Sequence, residues 1–341
     1  MKETRLKLFL RGKVFQLLCL IAIVIVVVAV YSPSAFNLSN VRQLLNNITI
    51  VALFLCGVAP LLMCGGIDWS GSAIGACSLV LYGLLLQALP AVPWPVIMLP
   101  ALLLGAILGF INSLLIVRLS LVAFIATMAM ATILNGFAQW SIRSVPVPIT
   151  NSSYNKLAGT FLFQFIQLFF IIMLVFVFVY SFILLKTQFG RSVLMCGGNP
   201  SAARLAGLRP DRIRTILYVN SGFISAVAGI MYGSQYRMAT HSAFSASPHM
   251  TAFIGSIVGG VSFFGGSGSL GGAVLGVALM NLLAYALVTI GVPLWVNGFI
   301  NGLILIIALT LDDLTRRLRL RKLGISASGG SGMVMPGMAK R

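Results

Sequence analysis

Long apolar runs, separated by short polar segments, make up most of the chain. A membrane helix needs about 20 mostly apolar residues, and all but one of the runs come close to that length. The eighth run is too short for a comfortable span, which leaves open a half-helix that stops inside the membrane. The pattern predicts an all-α, polytopic membrane protein with about ten transmembrane segments and Gly-rich broken helices. The predicted segments are 14–31, 44–64, 72–89, 95–117, 119–140, 161–185, 213–233, 251–264, 270–290 and 294–311.

Composition excludes the other broad classes of protein. The chain is 59% hydrophobic and 8% charged, with a mean hydropathy of +1.04, whereas soluble domains carry about 25% charged residues. The apolar runs are unbroken, and a membrane β-barrel would need alternating stretches of about ten residues. A helical membrane protein is therefore expected.

The basic residues predict the orientation of these segments. With the N-terminus in the cytoplasm, nineteen of the 23 Lys and Arg residues fall on the cytoplasmic side, as the positive-inside rule requires. The outer four are Arg42, Arg143, Lys156 and Arg237. We expect a basic cytoplasmic N-terminus over 1–13, a membrane domain over 14–313, and a basic, disordered cytoplasmic tail over 314–341.

The net charge of +18 is therefore read as topology information. The basic residues form no stripe with aromatic residues, so nucleic acid is not expected as a partner. The basic cluster at 316–322 is suited to anchoring the last helix at anionic membrane lipid.

One long polar segment interrupts the apolar pattern, and we call it the polar island, Lys186–Arg214. It cannot span a membrane, so we expect a loop in water. Asn199 suits a helix N-cap, Pro200 the first helical position, and Gly207 the position just past the end. These signals predict one helix of about two turns. It is either a docking element for a partner or a connecting loop kept in the cytoplasm by its charge.

Two Gly- and Ser-rich stretches break the helical pattern. The first break is Gly65–Ser72 and the second break is Gly259–Ser269. Neither carries a basic residue, which favours a position at membrane depth. Unpaired backbone groups at such breaks can bind a polar solute. The alternative is that the glycines only allow close helix packing.

Asp68 is the acid that the pattern puts inside the membrane. Its carboxylate is a candidate to bind a solute hydroxyl or to gate a path. It also lies just before the third segment, where a carboxylate would cap free N–H groups at a helix start. The local sequence favours the cap, and the two roles are compatible.

The chemistry of an enzyme is missing. No second membrane carboxylate, no P-loop and no CxxC pair is present, so we expect no catalytic residues, cofactor or metal. Ion-coupled transport usually leaves several buried charges. A transport protein of this composition would need a separate subunit as its energy source. The alternatives are an uncoupled channel or facilitator and, less well supported, a membrane enzyme or scaffold.

Four stretches carry a resemblance to a known family. They are GGIDWSGSAIGA at 65–76, FIATMAMATILNG at 124–136, FGRSVLMCGGNPSAARLAGLRPDRIR at 189–214, and IVGGVSFFGGSGSLGGAVLG at 257–276. The chain resembles the permease subunits of bacterial ABC importers of the ribose and simple-sugar type. The likeness runs from about residue 40 to residue 313, and the third stretch is the most specific.

The resemblance implies a subunit of the bacterial inner membrane that forms a path for a small polar solute, by family default a monosaccharide. It implies a second permease copy, two ATP-binding subunits that hydrolyse ATP, and a periplasmic solute-binding protein. The helix that contacts the ATP-binding subunits maps to Gly198, Asn199, Pro200, Ala203, Arg204, Leu205, Ala206 and Gly207. The path-lining candidates from the two breaks are Gly66, Asp68, Trp69, Ser70, Ser262, Phe263 and Ser267.

Three positions depart from the family pattern. Trp69 stands where a small or aliphatic residue is usual, and His249 and Thr251 stand where acids are common. These differences leave the solute open between sugars, polyols and autoinducer-like molecules.

Overall fold

The structure, a computed structural model, describes residues 13–33, 35–162, 166–244 and 247–322. The predicted N-terminal segment up to residue 12 and the predicted tail beyond residue 322 lie outside these residues. The regular elements of the described residues are helices apart from four two-residue strands, which confirms the all-α prediction. The long helices are α1 (Lys13–Tyr31), α2 (Leu38–Met63), α3 (Gly71–Ala88), α4 (Trp94–Ser113), α5 (Ala123–Ser141), α7 (Leu168–Lys186), α10 (Pro210–Tyr236), α12 (Leu270–Thr289) and α13 (Leu294–Lys322).

Four shorter helices complete the described part of the chain: α6 (Ser152–Gly159), α8 (Gln188–Gly198), α9 (Pro200–Leu205) and α11 (Ser247–Val258). A π-helical turn, Leu114–Arg118, continues α4. The strands are β1 (Val147–Pro148), β2 (Phe161–Leu162), β3 (Ile166–Gln167) and β4 (Met238–Ala239). The strands pair antiparallel as β1 with β4 and β2 with β3.

Eight described helices are long and apolar enough to cross a membrane. Of the ten predicted segments, those forming α5 and α11 fall outside this set, so ten spans stays a prediction. The eighth segment was expected over 251–264, but α11 ends at Val258, before Gly259 and Gly260. Its 12 residues make about 18 Å of helix, which is shorter than a hydrocarbon core of about 30 Å.

Two predicted boundaries differ clearly from the structure. The sixth segment was expected from residue 161, but α7 begins at Leu168 because the preceding residues form the β2–β3 hairpin. The Gln167 side chain donates to the Ala158 carbonyl and ties that hairpin to the end of α6. The last helix was expected to end at 311, yet α13 continues to Lys322 and includes the basic cluster.

The centre of the molecule is built from α2 and α10. The most apolar windows of these helices are 72% and 67% buried, against 11% for α1 and 0% for α13. Small residues bring the backbones close: a Cβ on Gly105 of α4 would lie 2.6 Å from the Ala226 Cβ of α10. Gly259 of the second break packs in the same way, because a Cβ there would lie 2.6 Å from the Ala273 nitrogen. For Gly259 the close-packing interpretation is the right one.

The two ends of the helical body differ. The polar island lies at one end, which we call the island end. At the other, the cap end, β1 and β4 join two loops that the sequence left separate. Tyr154 of α6 is buried there, and its hydroxyl donates to the Ile230 carbonyl of α10. The Arg42 guanidinium lies 4.8 Å from the centre of the Phe161 ring at the same end.

Candidate functional site

The polar island folds into two helices where we predicted one. The Thr187 hydroxyl caps α8 by accepting the Gly190 N–H at 3.3 Å, and Val193 and Cys196 are fully buried. Local sequence does not predict this helix, because its three glycines lower helix propensity. Packing against the body stabilises α8, so this half of the island is helical although no helix was predicted there.

The predicted short helix is α9, and its ends are fixed by local sequence. The Asn199 Oδ1 accepts the N–H groups of Ser201 and Ala202 at 3.1 and 3.0 Å. Pro200 occupies the first position. Gly207 follows the helix with a φ of +83°, and its N–H donates back into the last turn at 3.0 Å. This is the glycine-terminated helix end that the sequence predicted.

The surface of α9 is exposed and partly apolar. Leu205 is 92% exposed, and Ala203 is 2% exposed, so Ala203 anchors the helix instead of facing out. Arg204 pairs with Asp211 at 3.1 Å, with both side chains more than half exposed. Such a pair contributes little stability. The other predicted contact residues are exposed, except the half-buried Pro200.

Three glycine pairs, one from the island and one from each break, meet in a contact that we call the glycine junction: Gly65–Gly66, Gly197–Gly198 and Gly265–Gly266. The Gly266 N–H donates to the Met63 carbonyl at 2.9 Å. A Cβ on Gly197 would lie 2.6 Å from the Gly266 nitrogen. Gly265 and Gly266 have φ values of +83° and +78°, which side chains rarely adopt. The junction therefore joins α8 to both breaks through backbone contacts.

Asp68 in the first break is 3% exposed and fully hydrogen-bonded. Its Oδ1 accepts the Ser70 N–H at 2.9 Å and the Ser70 hydroxyl at 2.6 Å, and its Oδ2 accepts the Ser221 hydroxyl at 2.7 Å. The Asn112 side chain donates to the Ser70 hydroxyl at 2.7 Å. The expected N-cap is wrong: Ser70 holds the N-cap position of α3, and Asp68 instead ties the break to α10.

The second break is held by an acid that we did not predict. The Asp312 Oδ2 of α13 accepts the Ser262 hydroxyl at 3.1 Å and the Phe263 N–H at 3.0 Å. The Ser262 N–H in turn donates to the Ser267 carbonyl at 3.0 Å. Asp312 lies beyond the predicted end of the last segment, so the sequence offered no reason to place it against the break.

An aromatic contact joins the two breaks. The Trp69 ring packs edge-on against Phe253 of α11, with 5.9 Å between ring centres. Phe253 packs edge-on against Phe263 at 6.2 Å. The backbone N–H of Trp69 donates to the Thr127 hydroxyl of α5 at 3.0 Å. Two of the predicted path residues, Trp69 and Phe263, therefore share a neighbour.

A cavity of about 280 Å³ lies on the cap side of the first break. Five segments line it: Trp69 belongs to the break, Ser72 to α3, Asn135 to α5, and His249 to α11, while His241 follows β4. None of the described residues that line it is Lys, Arg, Asp or Glu. The cavity brings together polar side chains of separate elements in an uncharged, partly apolar space.

Sequence reasoning found only part of this cavity. Trp69 was a predicted path residue, and His249 had been noticed as a departure from the family pattern. Ser72, Asn135 and His241 carried no local signal, because only tertiary contacts bring their segments together. The other predicted path residues do not line the cavity; Gly66, Asp68 and Ser70 are buried in the body.

Comparisons with known proteins agree on one family. A family model described as branched-chain amino acid transport system / permease component matches residues 40–309. The galactose/methyl galactoside import permease protein MglC of Haemophilus influenzae is 30% identical over 320 residues, covering 88% of this chain and 93% of that protein. The autoinducer 2 import system permease protein LsrC of Escherichia coli is 31% identical over 298 residues, covering 84% of each. No solved structure matches the chain.

Proposed function

The chain belongs to the family of branched-chain amino acid transport system permease components, and from this premise we propose that it forms the solute path of an ATP-driven importer. Membership makes it a multi-pass transport subunit of the bacterial inner membrane and not an enzyme. It also confirms the family predicted from the four sequence stretches. ATP hydrolysis takes place on a separate subunit of such an importer.

The exposure of Leu205 is the observation that supports a docking role for α9. Leu205 is a large apolar side chain that is 92% exposed on a capped, ordered helix. Burial of such a side chain in the pocket of a partner would stabilise the complex by about 1.5–3 kcal/mol. Arg204, Arg209 and Arg212 are exposed and add positive charge to the same part of the island. We assign this surface to the ATP-binding subunits, and the glycine junction links their motion to both breaks.

The relatives support a small, uncharged polar solute. MglC is named as a permease for galactose and methyl galactoside, and LsrC as one for autoinducer 2. The cavity beside Trp69 offers hydrogen-bonding groups, and none of its described lining residues is Lys, Arg, Asp or Glu. A monosaccharide fits both observations best, delivered by a binding protein at the cap end. A second permease copy, identical or related, would complete the path.

The division of charge supports a cytoplasmic island end. Arg42, Arg143, Lys156 and Arg237 all lie in or beside the cap-end elements, which we assign to the outer side. Lys13 lies at the island end, since a Cβ on Gly260 of the second break would be 3.0 Å from its side chain. Both termini are then cytoplasmic.

Thiol labelling in intact cells and in inverted vesicles tests this orientation. Cys196 is a poor reporter, because it is fully buried and burial raises the pKa of its thiol against the effect of Arg214. Ser201→Cys, on the exposed face of α9, should react in inverted vesicles only. Labelling of that variant from outside intact cells would reverse the topology.

Substitution of Leu205 tests the docking role. In the assembled importer, Leu205→Glu should reduce retention of the ATP-binding subunits roughly tenfold or more, as for an interface anchor, and should abolish ATP-dependent galactose uptake. Val145→Glu is the matched control, because Val145 is 65% exposed at the cap end. Normal retention with Leu205→Glu would contradict the proposal. Galactose entry into liposomes that hold the chain without an ATP-binding subunit would instead support the facilitator.

A further inference from the structure

The cavity beside Trp69 contains three buried polar atoms that lack partners. They are the Ser72 Oγ, the His241 Nδ1 and the His249 Nε2, none of which has a hydrogen-bond partner within the described chain. Leaving such an atom unpaired costs about 1–3 kcal/mol. Buried polar groups are normally satisfied, so three of them around one space indicate that a polar molecule occupies it.

His249 is the most strongly fixed of the three. It is 3% exposed, and its ring packs edge-on against Phe54 with 5.4 Å between ring centres. Gly71 leaves room for it, since a Cβ there would lie 2.4 Å from the His249 Nε2 and 2.5 Å from its Cδ2. Because packing holds the imidazole at the cavity wall, a contact with a ligand would cost little further side-chain entropy.

The start of α3 adds hydrogen-bond donors on the same side. Ser70 holds the N-cap position, but its side chain makes no capping bond. The first N–H groups of a helix have no acceptor within the helix, and Ser72 and Ala73 of this first turn line the cavity. A solute hydroxyl there finds both donors and acceptors.

The charge of the surroundings narrows the chemistry of the ligand. No Lys, Arg, Asp or Glu in the described part of the chain lines the cavity, and both oxygens of the nearby Asp68 already accept hydrogen bonds from Ser70 and Ser221. An ionised ligand would lose its hydration without gaining a counter-charge. Trp69 and Phe244 supply apolar surface for the C–H face of a ring.

We infer that this cavity is a holding site for an uncharged polyhydroxylated molecule of about the size of a monosaccharide. Its hydroxyl groups bond to Ser72, His241 and His249, and its apolar face lies on Trp69. The volume of about 280 Å³ is close to the lower end of the range of about 300–1,000 Å³ that holds small ligands. The inference rests on the proposed importer function and adds a binding site within a single permease chain.

Tryptophan fluorescence of the assembled importer, in nanodiscs and without binding protein, tests the site. Galactose and xylitol should each produce a saturable change that Trp69→Phe removes. Ser72→Ala should raise the half-saturating concentration about three- to tenfold, as expected for one lost hydrogen bond. Galactose 6-phosphate and galacturonate should produce no change, because their charges would be unpaired.

Ser78→Ala is the matched control. Ser78 lies on the same helix, and its hydroxyl is also buried without a partner in the described chain, but it does not line the cavity. It should keep the half-saturating concentration of the unmodified importer. A response that Ser72→Ala and Trp69→Phe leave unchanged would overturn the site, and so would tight binding of the charged analogues.

The outcome for the site is separate from that for the importer. Galactose uptake by the complete importer, with no fluorescence response to either neutral probe, would support the proposed function and contradict the binding site. A fluorescence response in an importer without ATP-dependent uptake would support the site and contradict the proposed coupling to ATP hydrolysis. His249→Gln, which retains a donor and an acceptor, should weaken binding less than His249→Ala.

Discussion

The two sides of the first break have opposite character. Toward the island, every oxygen of Asp68 is hydrogen-bonded, and the glycine junction fits backbone against backbone. Toward the cap, Ser72, His241 and His249 keep polar atoms with no partner in the described chain. A buried carboxylate with both oxygens hydrogen-bonded ties the surrounding elements together, whereas unpartnered polar atoms are costly unless a ligand satisfies them. One side therefore holds the structure, and the other is prepared for a solute.

The aromatic contact explains how the two sides can act together. Trp69 borders the cavity and packs on Phe253, which also packs on Phe263 of the second break. Asp312 holds that break to α13. A displacement of α8 by a partner would reach Trp69 through contacts that leave little free space. Rigidity on the island side is then a condition for moving solute on the cap side.

The largest effect should come from removing the Asp68 carboxylate. Asp68→Leu removes three hydrogen bonds and leaves the hydroxyls of Ser70 and Ser221 without their acceptor. Each buried donor left unsatisfied costs about 1–3 kcal/mol, so the variant should lose at least about 3 kcal/mol of stability. Thermal unfolding in detergent measures this loss.

Asp211→Leu is the control for that experiment. Asp211 is the exposed partner of Arg204, and exposed ion pairs contribute about 0–1 kcal/mol. Its unfolding temperature should stay close to that of the unmodified protein. If Asp68→Leu also unfolded normally, the island side would not be the rigid part, and the comparison between the two sides would fail.

The next largest effect should follow from crowding the glycine junction. Gly197→Ala places a methyl group against the Met63 carbonyl and the Gly266 nitrogen. Overpacking of this kind costs about 1–3 kcal/mol, and it would separate α8 from both breaks. ATP hydrolysis in the importer should then continue with less solute uptake. Gly302→Ala, where nothing lies within 4 Å, should leave both rates unchanged.

The parts of the fold that local sequence determines were predictable. Apolar runs gave the long helices, and Asn199, Pro200 and Gly207 gave both ends of α9. The prediction failed where contacts between residues far apart in the sequence determine the structure. The start of α7 depends on a hairpin, and α8 depends on packing at glycines that argue against a helix.

The candidate site shows the same limit. The local sequence favoured Asp68 as a helix cap. In the structure its carboxylate accepts a hydrogen bond from Ser221, which lies 153 residues further along the chain. Asp312 was unexpected for the same reason. The cavity needs side chains from α3, α5 and α11, so only Trp69 and His249 could be singled out before the fold was known.

A smaller effect is expected at the end of α9. Gly207 has a φ of +83°, a conformation that costs a side chain about 1–2 kcal/mol. Gly207→Ala should therefore loosen α9 and weaken retention of the ATP-binding subunits a few-fold, without changing the unfolding temperature of the membrane body. Gly207→Asn should be milder, because Asn tolerates this conformation. Equal retention in all three proteins would show that the order of α9 does not matter for docking.

The smallest effect on stability should come from Ser72→Ala, and it gives the sharpest comparison of the two sides. Ser70 and Ser72 lie two residues apart at the start of α3, yet the Ser70 hydroxyl donates to Asp68 and accepts from Asn112, while that of Ser72 has no partner in the described chain. Ser70→Ala should cost about 1.5–3 kcal/mol. Ser72→Ala should stay within about 0.5 kcal/mol of the unmodified protein, or stabilise it, because it removes an unpaired buried oxygen. A loss as large as that of Ser70→Ala, measured by thermal unfolding without solute, would show that Ser72 holds the fold and is not kept free for a ligand.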